Sequence, residues 1–198
     1  MHNGVAASSY QFTADWFSGN IPAWEKLWRA MPGGPRRVLE IGSHEGRSAV
    51  WVVDNHLRAG DEFHAIDPWP AADIESRFDD NIALARAAKP GVAFVKHKGP
   101  SRHILPKLLA EGGAGTFDFI YVDGNHGGPE VLEDMVMCFR LAKIGGFIVC
   151  DDYLWNYGDN PTQTPKMAID AFTNCFSAKI GFVLDMPLSQ LYLVKKSD

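Results

Sequence analysis

"RVLEIGSHEGRSAVWVVDNHLRAGDEFHAID", residues 37–67, is the stretch that decides the fold. An apolar run of strand length stops at Gly42, and a second glycine follows at Gly46. A helix-length stretch then reaches about residue 58, and another apolar run ends on Asp67. Two strands joined by a helical connection pair in parallel, because parallel neighbours need a crossover of about a dozen residues or more.

Outward from there the pattern repeats. "VAFVKH" (92–97), "FDFIYVD" (117–123) and "GGFIVCDD" (145–152) read as further strands. Helical stretches fall at about 46–58, 73–89, 101–111, 128–143 and 165–177, the last with Pro165 placed for a first turn. "KIGFVLD" (179–185) and "QLYLVKK" (190–196) are separated only by "MPLS", too short for a helix, so they form an antiparallel hairpin. The expected architecture is α/β: a seven-stranded, mostly parallel sheet covered by helices on both faces.

Composition sets the outer limits. The chain has 198 residues, 46% hydrophobic and 22% charged, which suits one soluble domain. A formal net charge of −5 and no cluster of Lys and Arg argue against a nucleic-acid partner. The first 30 residues lack the pattern of a signal peptide, and no apolar run approaches the roughly 18–20 residues of a membrane span. Three scattered cysteines (Cys138, Cys150, Cys175) read as reduced thiols of a cytoplasmic protein. Residues 10–30 carry Phe12, Trp16, Phe17, Trp24, Leu27 and Trp28, broken at Ile21-Pro22. The expectation is an N-terminal helical segment, 1–34, acting as a lid or a dimer contact, ahead of a main domain at 35–198. Homo-oligomer formation stays open.

In open α/β sheets, ligands bind beyond the carboxyl ends of the strands. Strand one ends in Glu40-Ile41-Gly42-Ser43-His44-Glu45-Gly46-Arg47-Ser48, strand two in Asp67, strand four in Asp123 and strand five in Asp151-Asp152. Gly42 and Gly46 suit a tight turn lying close to a ligand. Their spacing is G-x-x-x-G, not the G-x-G-x-x-G of dinucleotide binders, and a purely structural turn explains it as well. Asp67 stands where a carboxylate accepts ribose hydroxyls, or else is a solvated turn residue before Pro68. Together they favour an adenosine-type ligand.

These residues resemble class I S-adenosylmethionine-dependent methyltransferases. "VLEIGSHEGRS" looks like the family's first motif and "HAIDPW" like its acidic second. "GPSRHILPKL" (99–108) is similar to the loop flanking the adenine, and "FDFIYVDGNH" and "LAKIGGFIVCDDY" to the fourth- and fifth-strand motifs. The likeness implies a Rossmann-like three-layer sandwich with strand order 3-2-1-4-5-7-6. Within the family the details resemble the metal-dependent macrolide-sugar and catechol O-methyltransferases; the catechol type has Asp-Asn where this chain has Asp151-Asp152. The resemblance implies Gly42 and His44 beside the methionine part of the cofactor, with Ser48 near. It implies Asp67 on ribose, Ser101 and Arg102 near adenine, and Glu40, Gly46 and Asp123 in the same cofactor site. Asp123, Asp151 and Asp152 would hold a divalent metal, Mg²⁺ first, and His126 would be the base.

The residues support the metal on their own account. With strands four and five adjacent, Asp123 converges with Asp151 and Asp152, and carboxylates so close need raised pKa values or a cation. All-oxygen donors suit Mg²⁺, Mn²⁺ or Ca²⁺. Alternatively, Asp152 caps a turn and Asp151 bonds a backbone amide. His126, three residues past Asp123 in a glycine-rich turn, could accept the proton of a hydroxyl acidified by the ion, or be an exposed loop histidine. "YLWNYGDNPTQTP" (153–165), with Tyr153, Trp155 and Tyr157, suits a substrate-facing flap or a packed surface loop. The expected function is methyl transfer to a hydroxyl of a small molecule, a sugar diol over a catechol. The alternatives are a metal-independent methyltransferase of the same fold and a non-catalytic cofactor-binding subunit.

Overall fold

The computed structural model of this chain describes residues 9–156, 158 and 160–198. Strands β1 (Arg37–Ile41), β2 (Glu62–Asp67), β3 (Ala93–Lys98), β4 (Phe117–Val122), β5 (Ala142–Cys150), β6 (Ile180–Phe182) and β7 (Leu191–Lys195) form one sheet. Its order is β3-β2-β1-β4-β5-β7-β6. The first five are parallel, and β7 enters antiparallel between β5 and β6. The crossovers carry α2 (Arg47–His56), α3 (Ala72–Ala88), α4 (Ser101–Leu108) and α5 (Gly128–Leu141); α6 (Pro165–Cys175) leads into the hairpin.

Side-chain alternation along the strands splits the core into two faces. Val38, Phe119, Tyr121 and Val149 share one buried cluster with α2 and α3, whereas Leu39, Ile120, Val122 and Ile148 share the other with α4, α5 and α6. Phe117 breaks the parity, lying with Ile120 rather than Phe119. The pairing shifts register at the same place: Phe117 pairs with Ala142, but Phe119 pairs with Phe147. The start of β5 thus bulges, at Gly145 with φ +84°.

Before the sheet comes α1 (Ile21–Ala30), which starts where the sequence suggested a break, because Pro22 is tolerated in a first turn. Trp24, Leu27 and Trp28, spaced three and four apart, are all buried. Trp24 meets Phe119 and Tyr121 edge-on at centroid distances of 4.9 and 4.8 Å, and Trp28 stacks on Phe119 at 4.9 Å. This helix therefore completes the core on the α2/α3 face. Among the described residues no helix is long and apolar enough to cross a membrane.

Candidate active site

Where β1 and β4 lie side by side the crossovers reverse direction, and the loops beyond their carboxyl ends come into contact. Gly42 has φ +87°, and a Cβ there would lie 1.8 Å from the Asp123 carbonyl oxygen. Only glycine permits that approach. The junction is fixed by Gly42 N–H donating to Ile66 O and Asp123 N–H to Ile41 O, each at 2.8 Å.

Asp67 organises the adjoining turn. One carboxylate oxygen accepts from His44 N–H at 3.0 Å and the other from Trp69 N–H at 2.6 Å. Both donors belong to residues of positive φ (+47° and +40°), and Trp69 Nε1 closes the loop on His44 O at 2.8 Å. On the outer side, buried Glu45 accepts from the backbone and hydroxyl of Thr13 at 2.7 and 2.9 Å. Asn81 bonds both backbone groups of Gln11 and the carbonyl of Glu45. The N-terminal chain is thereby strapped over the glycine turn and delivers Trp16 to the cleft.

The cleft is a cavity of about 900 Å³, within the range of small-molecule sites. Gly42, His44, Asp67, Ser101 and Arg102 line one side, and Asp123, His126, Asp151 and Asp152 the other. Ser48 lines a small annex of about 50 Å³ shared with Gly42 and His44. Two expected residues are not on these walls. Gly46, at φ +81°, occupies the N-cap of α2. Glu40 is buried beneath the turn, where it accepts from Ser48 Oγ at 2.5 Å, while its other oxygen lies without a hydrogen-bond partner. Burial pushes its pKa up to about 7.

The acidic side is built by register. Val122 pairs with Cys150, so one step further Asp123 faces Asp151; Cys150 pairs with Leu191, so Gln190 falls beyond Asp151. Burial, and then the adjacent Asp151 charge, raise Asp123 well above the carboxylate range; burial likewise raises Asp151. Asp152 turns back, at φ +55°, and its Oδ2 lies 2.9 Å from His126 Nε2, a hydrogen bond that raises the imidazole pKa. Trp155 packs on the His126 ring at 4.6 Å. Tyr157, the other flap aromatic of interest, lies outside the described residues. Tyr153 instead donates to Asp170, at 2.8 Å.

One donor atom from each of Asp123, His126 and Asp152 lies within 4.8 Å of the others, compact enough for a single ion. Two neighbouring carboxylates, of which buried Asp123 has raised proton affinity, and a nearby imidazole fit a divalent cation. Asp151 is not in that group. Its Oδ2 accepts from Tyr121 at 2.5 Å and its Oδ1 from the Asp152 amide at 2.9 Å, the backbone role weighed above as an alternative to metal ligation. Tyr121 and Gln190 went unread in the sequence because both look like core. The available signal was parity: Tyr121 stands two residues before Asp123 and so shares its face.

A family model described as a methyltransferase domain matches residues 39–153, more than half of the chain. Caffeoyl-CoA O-methyltransferase 1 of Eucalyptus globulus is 36% identical over 123 residues, 61% of this chain and 46% of that protein. The chain thus spans about half the length of that relative. A catechol O-methyltransferase of Niastella koreensis is 26% identical over 167 residues, 82% of this chain and 70% of its own. Among solved structures, the MycE methyltransferase of the mycinamycin biosynthetic pathway, in complex with Mg and SAH, superposes with a TM-score of 0.64 at 16% identity. That match covers 93% of this chain and 51% of MycE, and it speaks for the fold alone.

Proposed function

This chain belongs to the methyltransferase domain family, and from that premise we propose that it methylates a hydroxyl of a small molecule, using S-adenosylmethionine and a divalent cation, with His126 as general base. The preferred acceptor carries two neighbouring oxygens, a sugar diol over a catechol, and Mg²⁺ is the first choice of ion. One observation carries the reading: a single cavity has the glycine turn and Asp67 on one wall and the compact group Asp123, His126 and Asp152 on the other.

S-Adenosylmethionine supplies an electrophilic methyl on a sulfonium, which leaves the chain the tasks of alignment and charge. Asp67 has acceptor capacity beyond its two backbone bonds and serves the ribose hydroxyls. Ser101 and Arg102, opening α4, would hold the adenine, with apolar Ile66 and Ile74 lining the same cavity. Gly42, His44 and Ser48 border the methionine end. Asp123 and Asp152 are the carboxylates for the ion. A divalent cation there would neutralise them and lower the pKa of the acceptor hydroxyl. His126 takes that proton; its bond to Asp152 orients the ring and makes it the stronger base, and Trp155 holds its plane. The net charge of −5 suits a small acceptor better than a polyanion.

The His126–Asp152 pair is an oriented base in its own right, and this favours metal-independent transfer as the second reading. Methyl transfer from S-adenosylmethionine to a panel of sugar diols and catechols, with Mg²⁺ or with EDTA, tests both. Turnover abolished by EDTA and restored by Mg²⁺ is the expected result; turnover indifferent to EDTA selects the second reading. Tight S-adenosylhomocysteine binding with no turnover on any acceptor would leave a cofactor-binding subunit.

A further inference from the structure

The N-terminal strap is anchored at alternate residues, and the residues between the anchors line the cofactor wall. Asn81 of α3 makes three of the ties. Its Oδ1 accepts from Gln11 N–H at 2.8 Å, while its Nδ2 donates to Gln11 O at 2.8 Å and to Glu45 O at 2.9 Å. One buried amide thus joins the strap to the turn between Gly42 and Gly46. Two residues on, both oxygens of buried Glu45 receive Thr13, Oε2 from its amide at 2.7 Å and Oε1 from its hydroxyl at 2.9 Å. Arg77 of α3 donates to the same Oε1 at 2.5 Å. Arg47 of α2 then donates to Ala14 O at 3.2 Å and to Asp15 Oδ2 at 3.1 Å. The anchors Thr13 and Asp15 alternate with Phe12, Ala14 and Trp16, which line the annex of about 50 Å³. That is the period of an extended chain with one side tied and the other turned to a ligand. Trp16 also lines the main cavity and packs on the His44 ring at 5.3 Å, so the strap reaches the point where annex and cavity meet.

We infer that Asn81 and Thr13 are positioning residues for the cofactor: through Gln11 and Glu45 they hold the strap as the roof of the recess that takes its amino-acid tail. This rests on the cofactor reading above, which puts the methionine end beside Gly42, His44 and Ser48. The annex those residues border has room for a few water-sized groups and none for a nucleoside. Asp67, Ser101 and Arg102 lie on the main cavity and outside the annex. The ties therefore act on the tail and leave ribose and adenine alone.

The test compares S-adenosylhomocysteine with 5′-methylthioadenosine, which keeps the nucleoside and sulfur but lacks the amino-acid tail, by calorimetry on the full chain. Neither Asn81 nor Thr13 lines the annex or the cavity, so substituting them leaves the walls as they are. Asn81→Ala should weaken S-adenosylhomocysteine about 10-fold, the size of one to two net hydrogen bonds, and speed its dissociation in stopped flow. 5′-Methylthioadenosine should stay within about two-fold of wild type. Thr13→Ala drops the hydroxyl bond and keeps the amide bond; it should act in the same direction by about three-fold, and it carries the test if Asn81→Ala folds poorly. Equal weakening of the two ligands would reduce the ties to overall stability, and unchanged S-adenosylhomocysteine binding and dissociation would separate the strap from the cofactor. Either result overturns the inference. Wild type that binds both ligands equally well overturns it too, while sparing the nucleoside site. Wild type that binds neither overturns the cofactor reading itself.

Discussion

Gly42→Ala is the perturbation whose size the structure states most directly. The new Cβ would stand 1.8 Å from the Asp123 carbonyl oxygen and 2.4 Å from its carbon, both backbone atoms that cannot rotate away. Reaching the 3.4 Å of ordinary contact means opening the junction by about 1.6 Å. The Asp123 N–H to Ile41 O bond, worth about 1 kcal/mol, goes with it. Holding alanine at φ +87° adds about 1–2 kcal/mol. With the steric displacement the total should exceed about 4 kcal/mol, the range of named, severe mechanisms. For a domain of this size that is a fall in Tm of roughly 8–16 °C. Gly60→Ala is the matched control, since Gly60 has φ +93° with nothing within 4 Å of its Cβ position. It carries only the backbone cost of about 1–2 kcal/mol. Urea and thermal unfolding of both variants measure the difference, and S-adenosylhomocysteine titration reads the local effect: Gly42→Ala should weaken binding, Gly60→Ala should not. If the two variants lost the same stability to within about 1 kcal/mol, the close approach of the two loops would be refuted.

Three further outcomes follow from the same structure. Trp24→Ala should cost about 3–5 kcal/mol in urea unfolding, because the side chain is buried against Phe119 and Tyr121; a loss under about 1 kcal/mol would show α1 to be a peripheral lid. Glu40, pushed up from 4.5 to about 7 by burial, is favoured neutral in the fold, so its contribution is full below about pH 4.5 and is lost as pH rises through 7. Between pH 5 and 9 wild type should therefore lose about 3 kcal/mol more than Glu40→Gln, and parallel stability profiles would contradict the burial argument. Asp67→Ala removes two charged hydrogen bonds that hold His44 and Trp69 at positive φ, and should weaken S-adenosylhomocysteine by about 10-fold or more in calorimetry; an unchanged Kd would remove Asp67 from the ribose role.

The glycine at 42 and the carboxylates at 67 and 123 were legible because strand ends are marked by local pattern: an apolar run stops, and the next residue is at the sheet's edge. The same logic located Asp151 and Asp152 but could not tell them apart. Their difference arises from one backbone turn at Asp152 and from Tyr121, which lies 30 residues from Asp151 along the chain. Glu40 shows the same limit of local pattern. Two residues before Gly42 in sequence, it lies buried under the turn, hydrogen-bonded to Ser48, and off the cavity wall.

Sequence by itself determined the layered α/β architecture, the hairpin and the edge on which a site would open, because hydrophobic periodicity and connection length are local properties with few physical solutions. The tertiary structure decided which acidic groups meet His126, that α1 belongs to the core, and that an N-terminal strap lies over the glycine turn. Those outcomes depend on hydrogen-bond donors from residues as far apart as Trp24 and Gln190, and such pairings leave no periodic trace in a single chain.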